Sequence, residues 1–120
     1  MAKEILVIED DEGIREMLRQ VLELYGYAVL TASDGEKGLE RLRKNTLNPC
    51  LILLDLMMPV MDGWEFMEAF HQSKDWESIP VVVISAFPDK AADLHAQGLL
   101  AKPLVLDNLL SVVERYCGKN

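Results

Sequence analysis

Residues 50–63 read C-L-I-L-L-D-L-M-M-P-V-M-D-G, and this segment decides the fold. Five apolar residues end abruptly at the carboxylate of Asp55. A short, continuous apolar run of this kind is typical of a strand that is buried on both faces of a sheet. Pro59 and the Asp62-Gly63 pair then predict a loop, and an amphipathic helix follows it. Asp55 is therefore expected at the carboxyl end of a core strand, where open parallel sheets build their sites.

Outward from this segment, the chain alternates apolar runs with stretches of helical periodicity. The predicted strands are 5–8, 27–32, 50–54, 81–84 and 99–101. The predicted helices are one closed by Gly26, one from a Ser33/Glu36 capping box to about Lys44, one from about Gly63, a short one over 90–96, and one over 107–116.

Five strand-helix alternations predict right-handed crossovers and a parallel sheet with helices on both faces. The fold class is therefore α/β, a doubly wound five-stranded parallel sheet of order 2-1-3-4-5 with a shortened fourth helix. In that order, strands 1 and 3 are neighbours at the point where the winding reverses, and ligands bind in the crevice there.

Composition narrows the classes of function. The 120 residues are half hydrophobic, which fits a single globular domain over 1–120. A net charge of −8 argues against nucleic acid or an anionic membrane as a direct partner and permits the attraction of cations such as Mg²⁺. Apolar stretches are too short for a signal peptide or a membrane span. Cys50 and Cys117 have no C-x-x-C spacing, so we expect free thiols in a reducing compartment, the cytoplasm.

Polar side chains follow the predicted strands at the point where each strand ends. Glu9 and Asp10 follow strand 1, Asp55 strand 3, Ser85 strand 4 and Lys102 strand 5. All five are expected at one edge of the sheet. Three converging carboxylates repel one another, so a hard divalent cation such as Mg²⁺ is their natural partner. A hydroxyl and an ammonium beside an aspartate complete a set that suits a phosphoryl group.

Four motifs, each following its strand, resemble the receiver domains of two-component response regulators, the CheY-like fold. They are I-L-V-I-E-D-D-E-G-I-R-E-M-L, L-L-D-L-M-M-P-V-M-D-G, V-V-V-I-S-A and A-K-P. The resemblance implies that Asp55 is the phosphoacceptor in a Mg²⁺-dependent reaction. It also implies that Asp10 binds the metal directly, Glu9 binds it through water, and the Met57 backbone carbonyl is a further ligand.

The resemblance also implies roles for Ser85 and Lys102, one cis peptide bond, a phosphoryl donor and an output face. Ser85 supplies the hydroxyl that moves to the phosphoryl oxygens, and Lys102 pairs with Asp55 and then with its phosphate. The peptide bond between Lys102 and Pro103 is expected to be cis. The donor is a phosphohistidine on a sensor histidine kinase or a phosphotransfer protein. Such a domain is not an enzyme but promotes its own phosphorylation and dephosphorylation, and it switches the face formed by strand 4, helix 4 and strand 5.

The chain departs from the receiver pattern at several positions. Only 16 residues separate Ser85 from Lys102, so helix 4 is expected to have one or two turns. Leu99 stands where many receivers carry a switch Tyr or Phe, which puts aromatic switching and dimerisation in doubt and leaves a monomer or a weak homodimer. Val105 stands where many relatives cap the last helix with Asp.

Two apolar side chains are expected to set the lifetime of the phosphorylated state. Met57 and Phe87 lie two positions after Asp55 and Ser85, and the resemblance places both beside the path of attacking water. We hypothesise that they slow hydrolysis by excluding that water.

Two other classes of function stay open at this point. A pseudo-receiver would use the same fold as an interaction module without phosphorylation. A flavin binder of the related fold is disfavoured because the first strand-to-helix loop is acidic and would repel a cofactor phosphate. The sequence ends about four residues after the last predicted helix, so the chain is expected either to act alone or to be part of a longer regulator.

Overall fold

A computed structural model describes residues 3–44, 48–91 and 94–119. The strands are β1 (Glu4–Ile8), β2 (Ala28–Ala32), β3 (Leu51–Asp55), β4 (Val81–Ser85) and β5 (Gly98–Ala101). The helices are α1 (Glu12–Leu24), α2 (Gly35–Lys44), α3 (Gly63–His71) and α4 (Leu106–Cys117), with 3₁₀ turns at Lys74–Trp76 and Pro88–Ala91. The strands form one parallel sheet in the order β2-β1-β3-β4-β5, which confirms the predicted topology.

Alternate side chains of the strands fill two apolar layers, one on each face of the sheet. The layer beside α2 and α3 contains Leu6, Ile8, Leu39, Ile52, Leu54, Phe66, Met67 and Phe70. The layer beside α1 and α4 contains Ile5, Val7, Leu18, Leu22, Leu51, Leu53, Leu109 and Val113. Because β3 lies in the middle of the sheet and is buried along its whole length, its sequence is apolar without alternation.

The helix starts agree with the sequence prediction at one position and differ at another. Asp62 and Glu65 form a capping box at the start of α3. The predicted cap of α2 at Ser33 is wrong by one residue, because the carboxylate of Asp34 accepts the Lys37 backbone N–H at 2.9 Å. The cause is tertiary: the Gly35 N–H donates to the Met61 carbonyl at 2.9 Å, and this contact fixes where the helix begins.

The crossover from β4 to β5 also differs from the prediction. The helix predicted over 90–96 is replaced, within the described residues, by the 3₁₀ turn Pro88–Ala91; Ala92 and Asp93 lie outside those residues. His95 has a left-handed φ of 54°, which is incompatible with a continuing helix. The last strand begins one residue earlier than predicted, because Gly98 is the first residue of β5. The expected shortened helix 4 is thus not an α-helix in the described part of this crossover.

The prediction of two free cysteines is wrong. Cys50 and Cys117 form a disulfide, with a Cα–Cα distance of 5.3 Å. The helix α4 runs back across the sheet to the amino ends of the strands, and it brings Cys117 beside Cys50 at the start of β3. Sequence spacing could not show this contact, because 67 positions separate the two residues. The expectation of a reducing compartment was based on free thiols, so the cysteines no longer support it.

Candidate functional site

The register of the parallel strands brings the sequence-predicted residues to one edge of the sheet. Asp55 pairs with Ile84 in β4, so Ser85 and the residue after β5, Lys102, follow at the same level. The Lys102 backbone N–H donates to the Ser85 carbonyl at 2.9 Å and extends this register. On the other side, Glu9 directly follows β1, which pairs with β3 up to Leu54.

Three carboxylates meet at this edge. Glu9, Asp10 and Asp55 each offer one carboxylate oxygen, and these oxygens all lie within 4.8 Å of one another. Glu9 is 1% exposed and Asp55 4% exposed, while Asp10 is open to solvent. Two buried acids and one exposed acid form an oxygen donor set that is partly open to solvent, which is the arrangement that suits a Mg²⁺ ion that keeps some of its waters.

Lys102 supplies the positive charge that the buried acids need. Its Nζ lies 3.0 Å from Glu9 Oε1 and 3.3 Å from Asp55 Oδ1. Burial alone would lower the pKa of Lys102, but the carboxylates of Glu9 and Asp55 outweigh it and raise that pKa above its ordinary value. The ammonium is therefore charged throughout the physiological range and lies between two acids that come from different strands.

Glu9 is only partly compensated by that ammonium. Its Oε2 accepts the Asp11 backbone N–H at 3.2 Å. Its Oε1 is buried and, within the described part of the chain, forms no hydrogen bond, although the Lys102 ammonium lies 3.0 Å away as its ion-pair partner. Burial, followed by the neighbouring Asp55 carboxylate, raises the pKa of Glu9 to about 7 against the pull of Lys102. An orphaned, buried carboxylate oxygen beside two other acids fits a divalent cation as the missing partner.

The remaining sequence-predicted residues lie around this cluster. Ser85 is buried, and its Oγ accepts the Phe87 backbone N–H at 2.9 Å. Met57 and Phe87 are each 53% exposed, on the loops that follow β3 and β4. The peptide bond between Lys102 and Pro103 is cis, the geometry that the resemblance implies. The roles of these residues, and of the Met57 carbonyl as a metal ligand, stay predictions.

Arg15 belongs to the site and was not singled out in the sequence. Its Nη1 donates to the backbone carbonyls of Glu9 at 2.9 Å and Asp10 at 3.3 Å, so the guanidinium fixes the main chain that carries both acids. The sequence feature that could have identified Arg15 is its position one turn into the helix that follows the acidic pair.

Gly63 also shapes the site, although the sequence suggested only a turn and a helix start. Its N–H donates to the Leu56 carbonyl at 2.9 Å. A Cβ at this position would lie 2.7 Å from the Asp55 carbonyl oxygen and 2.8 Å from Leu56 Cα. Because backbone atoms cannot move aside cheaply, only glycine lets the start of α3 pack this closely behind Asp55.

Comparison with known proteins agrees with this geometry. The family model of the response regulator receiver domain matches residues 5–114. The response regulator RR06 of Streptococcus pneumoniae is 36% identical over 121 residues, which cover 93% of this chain and 54% of RR06. The alkaline phosphatase synthesis transcriptional regulatory protein PhoP of Bacillus subtilis is 37% identical over 86% of this chain and 43% of its own length. The chain thus spans about half the length of these curated relatives.

A solved structure gives the same fold. The Vibrio cholerae chemotaxis protein CheY4 superposes with a TM-score of 0.85 at 28% identity, covering 97% of this chain and 99% of that chain. Similarity over nearly the whole of both chains means that the overall fold is shared.

Proposed function

The chain belongs to the response regulator receiver domains, and on that premise we propose that it accepts a phosphoryl group on Asp55 in a Mg²⁺-dependent reaction. One observation carries the proposal. Carboxylates that follow two different strands converge within 4.8 Å, and Lys102 contacts two of them, Glu9 and Asp55. A structural ion pair would need only one acid for one ammonium. The surplus of buried negative charge is better explained by a cation and a transferred anion.

The proposed nucleophile is Asp55 Oδ2. Oδ1 accepts the Leu56 backbone N–H at 2.9 Å and contacts Lys102 Nζ, and these contacts fix the orientation of the carboxylate. In the transfer, a bond forms between Oδ2 and the phosphorus of a phosphohistidine as the P–N bond breaks, and the electron pair stays with the imidazole nitrogen. Because the reaction involves little other covalent change, positioning and charge compensation supply most of the rate.

The surrounding side chains have separate tasks in this proposal. Glu9, Asp10 and Asp55, with the Met57 carbonyl, would hold the ion. Bound Mg²⁺ would supply charge neutralisation for the transferring oxygens. Lys102 would follow the negative charge from the Asp55 carboxylate to its phosphate. Ser85 would give up its contact with the Phe87 N–H and donate its hydroxyl hydrogen to a phosphoryl oxygen.

This exchange of partners at Ser85 would be the switch. A phosphoryl group adds about −1.5 to −2 charges and three acceptor oxygens. Once Ser85 turns toward it, the Phe87 N–H loses its acceptor, and the loop that leads to the 3₁₀ turn Pro88–Ala91 becomes free to move. The proposed output face is therefore β4, this turn and β5. The proposed switch does not require an aromatic side chain at position 99, where Leu99 is 43% exposed.

The remaining parts of the proposal concern context. The donor would be a sensor histidine kinase or a phosphotransfer protein, the domain would occupy 1–120, and its place of action would be the cytoplasm. It would act as a signalling domain that promotes its own phosphorylation and dephosphorylation, not as an enzyme with a separate substrate. Among the described residues, no helix combines the length and apolar character that crossing a bilayer requires.

The test is incubation with acetyl phosphate and Mg²⁺, followed by intact mass. The wild type is expected to gain one phosphoryl group, and the gain should vanish in Asp55→Asn and when Mg²⁺ is chelated. Asp75→Asn, which removes a carboxylate from an exposed 3₁₀ turn far along the chain, is the matched control and should behave as wild type.

The same experiment separates the alternative functions. A folded wild type that gains no mass would refute the proposal and leave the pseudo-receiver, which the short β4–β5 crossover and Leu99 favour. A gain that persists in Asp55→Asn would place the modification elsewhere and would also refute the proposed acceptor.

A further inference from the structure

A basic groove lies beside the acidic site, on the surface between α1, the end of β2 and α2. Its volume is about 380 Å³, and its charged lining consists of Arg15, Lys37, Arg41, Lys44 and one carboxylate, Glu40. We propose that this groove binds a small anion that carries two or three linked phosphate groups. The proposal does not depend on phosphorylation of Asp55.

The sign of the charge in the groove is opposite to that of the molecule. The chain carries a net charge of −8, yet four cations and a single acid face this groove. Within residues 3–44, 48–91 and 94–119, none of the four cations forms an ion pair with a carboxylate. Arg19, on the same helix as Arg15, shows the contrast because it pairs with both Glu16 and Glu23. Cations that form no ion pair and outnumber the acids in a concave site raise the local concentration of anions.

Backbone and hydroxyl oxygens hold three of these cations in place. Arg41 Nε donates to the Thr31 carbonyl at 3.1 Å, and Arg15 Nη1 donates to the Glu9 carbonyl at 2.9 Å. Lys37 Nζ donates to Ser33 Oγ at 3.1 Å. These contacts are with neutral oxygens, so they position the side chains and leave their charge available. A ligand therefore binds side chains that are already partly ordered, so less side-chain conformational entropy is lost on binding.

The arrangement selects a multiply charged phosphate over a single carboxylate. Lys37, Arg41 and Lys44 recur at helical spacing on one face of α2, and Arg15 faces them from α1. Planar guanidinium groups match phosphate oxygens with paired hydrogen bonds, and lysines add point charges. One carboxylate could engage only one of these cations, whereas a chain of phosphates can reach several of them.

The groove is open to water, which limits the binding. Three of its four cations are exposed, so salt screens their attraction for an anion. The affinity is therefore expected to fall as the ionic strength rises. A nucleic acid is not the expected ligand, because the rest of this acidic surface would repel a long polyanion.

The test is a titration of the ¹⁵N-labelled full chain with tripolyphosphate, free of divalent metal and at low salt, followed by amide NMR. We expect saturable one-site shifts among residues 31–37 and at Arg41. Arg41→Gln and Lys37→Gln should each raise the Kd about five- to tenfold. Arg43→Gln is the matched control because it removes the same charge from the same helix outside the groove lining, and it should change the Kd less than twofold.

Two further arms define the ligand. Orthophosphate should bind more weakly than tripolyphosphate. Parallel titrations with pyrophosphate and ADP distinguish a free polyphosphate from a nucleotide, since equal affinity would mean that the groove reads only the phosphates. Asp55→Asn should bind tripolyphosphate as the wild type does, so failure of the proposed phosphorylation and failure of the groove are distinguishable.

Three results would overturn the inference. The first is an absence of saturable shifts at low salt. The second is a set of shifts centred on Glu9, Asp10 and Asp55 instead of the groove. The third is a loss in Arg43→Gln equal to that in Arg41→Gln, which would mean that binding follows net charge alone. The amide spectrum of each ligand-free variant should match that of the wild type, which shows that the variant is correctly folded.

Discussion

The two edges of the sheet are built on opposite principles. At the carboxyl edge, Glu9 and Asp55 are buried together with one ammonium between them, and Glu9 Oε1 lacks a hydrogen-bond partner among the described residues. At the amino edge, the Cys50–Cys117 disulfide joins the residue before β3 to the last residue of α4, and the Tyr27 hydroxyl donates to the Gly118 carbonyl at 2.6 Å. One edge has unbalanced charge, while the other has covalent and satisfied polar contacts.

This difference shows that these destabilising groups lie at the carboxyl edge of the sheet, and these stabilising contacts at the amino edge. Buried, poorly compensated acids destabilise a fold, but they are the groups that a cation and a phosphoryl group can engage. Contacts at the far edge can offset that cost without touching the site. Stability and chemistry should therefore respond to different substitutions, and the predictions below separate the two edges.

The largest effect is expected from removal of the disulfide. Replacing Cys50 and Cys117 together with Ala should lower the free energy of unfolding by about 4 kcal/mol, because the bond closes a loop of 67 positions. Urea denaturation measures the change, and wild type under a dithiol reductant is the control. Acetyl phosphate labelling of the folded variant should be unchanged; a loss of labelling would mean that the two edges are not separable.

Gly63→Ala should damage both stability and chemistry. The new Cβ would meet the Asp55 carbonyl oxygen at 2.7 Å, so the backbone behind the acceptor must shift, at a cost of about 2–3 kcal/mol. Thermal denaturation and the labelling yield are the measurements. Gly98→Ala is the control, since its Cβ would make only ordinary contact with a Val82 side chain. Equal effects of both substitutions would contradict the special role of Gly63.

The buried acid should make the metal-free protein sensitive to pH. The pKa of Glu9 is about 7 in the folded chain and 4.5 at its ordinary value, so between these pH values the folded state binds more protons than the unfolded state. Stability attributable to Glu9 therefore falls as pH rises from 4.5 to 7, by on the order of 2 kcal/mol. Urea denaturation at several pH values, without metal, should show a flatter profile for Glu9→Gln than for wild type. Glu12→Gln, on the exposed start of α1, should keep the wild-type slope.

The exposed apolar rim should control the lifetime of the phosphorylated state. Replacing Met57 and Phe87 with Ser should admit water and shorten the acyl-phosphate half-life by up to about tenfold, or roughly 1.4 kcal/mol of barrier. The measurement is loss of phosphoryl mass over time after the donor is removed. Replacement of Val60, an exposed apolar residue between them in the sequence, is the control. An equal or longer half-life in the double variant would rule out this role.

The smallest effect is expected at the start of α4. Val105 occupies the N-cap position and makes no side-chain cap hydrogen bond. Val105→Asp should add one, and stabilise the protein by about 1 kcal/mol. The thermal midpoint measures the gain, with Val105→Ala as the control for loss of the side chain. An unchanged midpoint would mean that another group already satisfies the helix start.

The sequence was sufficient for the architecture because the signals there are local. The apolar run that ends at Asp55 predicts a central strand, and the polar residues after the other strands predict the shared edge. The start of α2 was mistaken because the Gly35–Met61 contact joins distant parts of the chain. The disulfide was missed for the same reason, and periodicity cannot detect either contact.

The site shows the same division between local and tertiary information. The position of each motif after its strand predicts that Glu9, Asp10, Asp55 and Lys102 lie at one edge of the sheet. That Glu9 Oε1 forms no hydrogen bond among the described residues depends on the three-dimensional placement of neighbouring groups, which only a structure supplies. The basic groove was also beyond the sequence, because Arg15 comes from a different helix than the other cations.

The disulfide divides the chain into a closed ring, residues 50–117, and the segments on either side of it. Asp55, Ser85 and Lys102 all lie inside the ring between Cys50 and Cys117, whereas Glu9 and Asp10 lie on the segment before it. Even when the oxidised chain unfolds, the acceptor, the hydroxyl and the ammonium stay tethered in one loop. The two remaining acids have no such tether, so the part of the pocket that would hold a cation is assembled only when β1 joins the sheet beside β3.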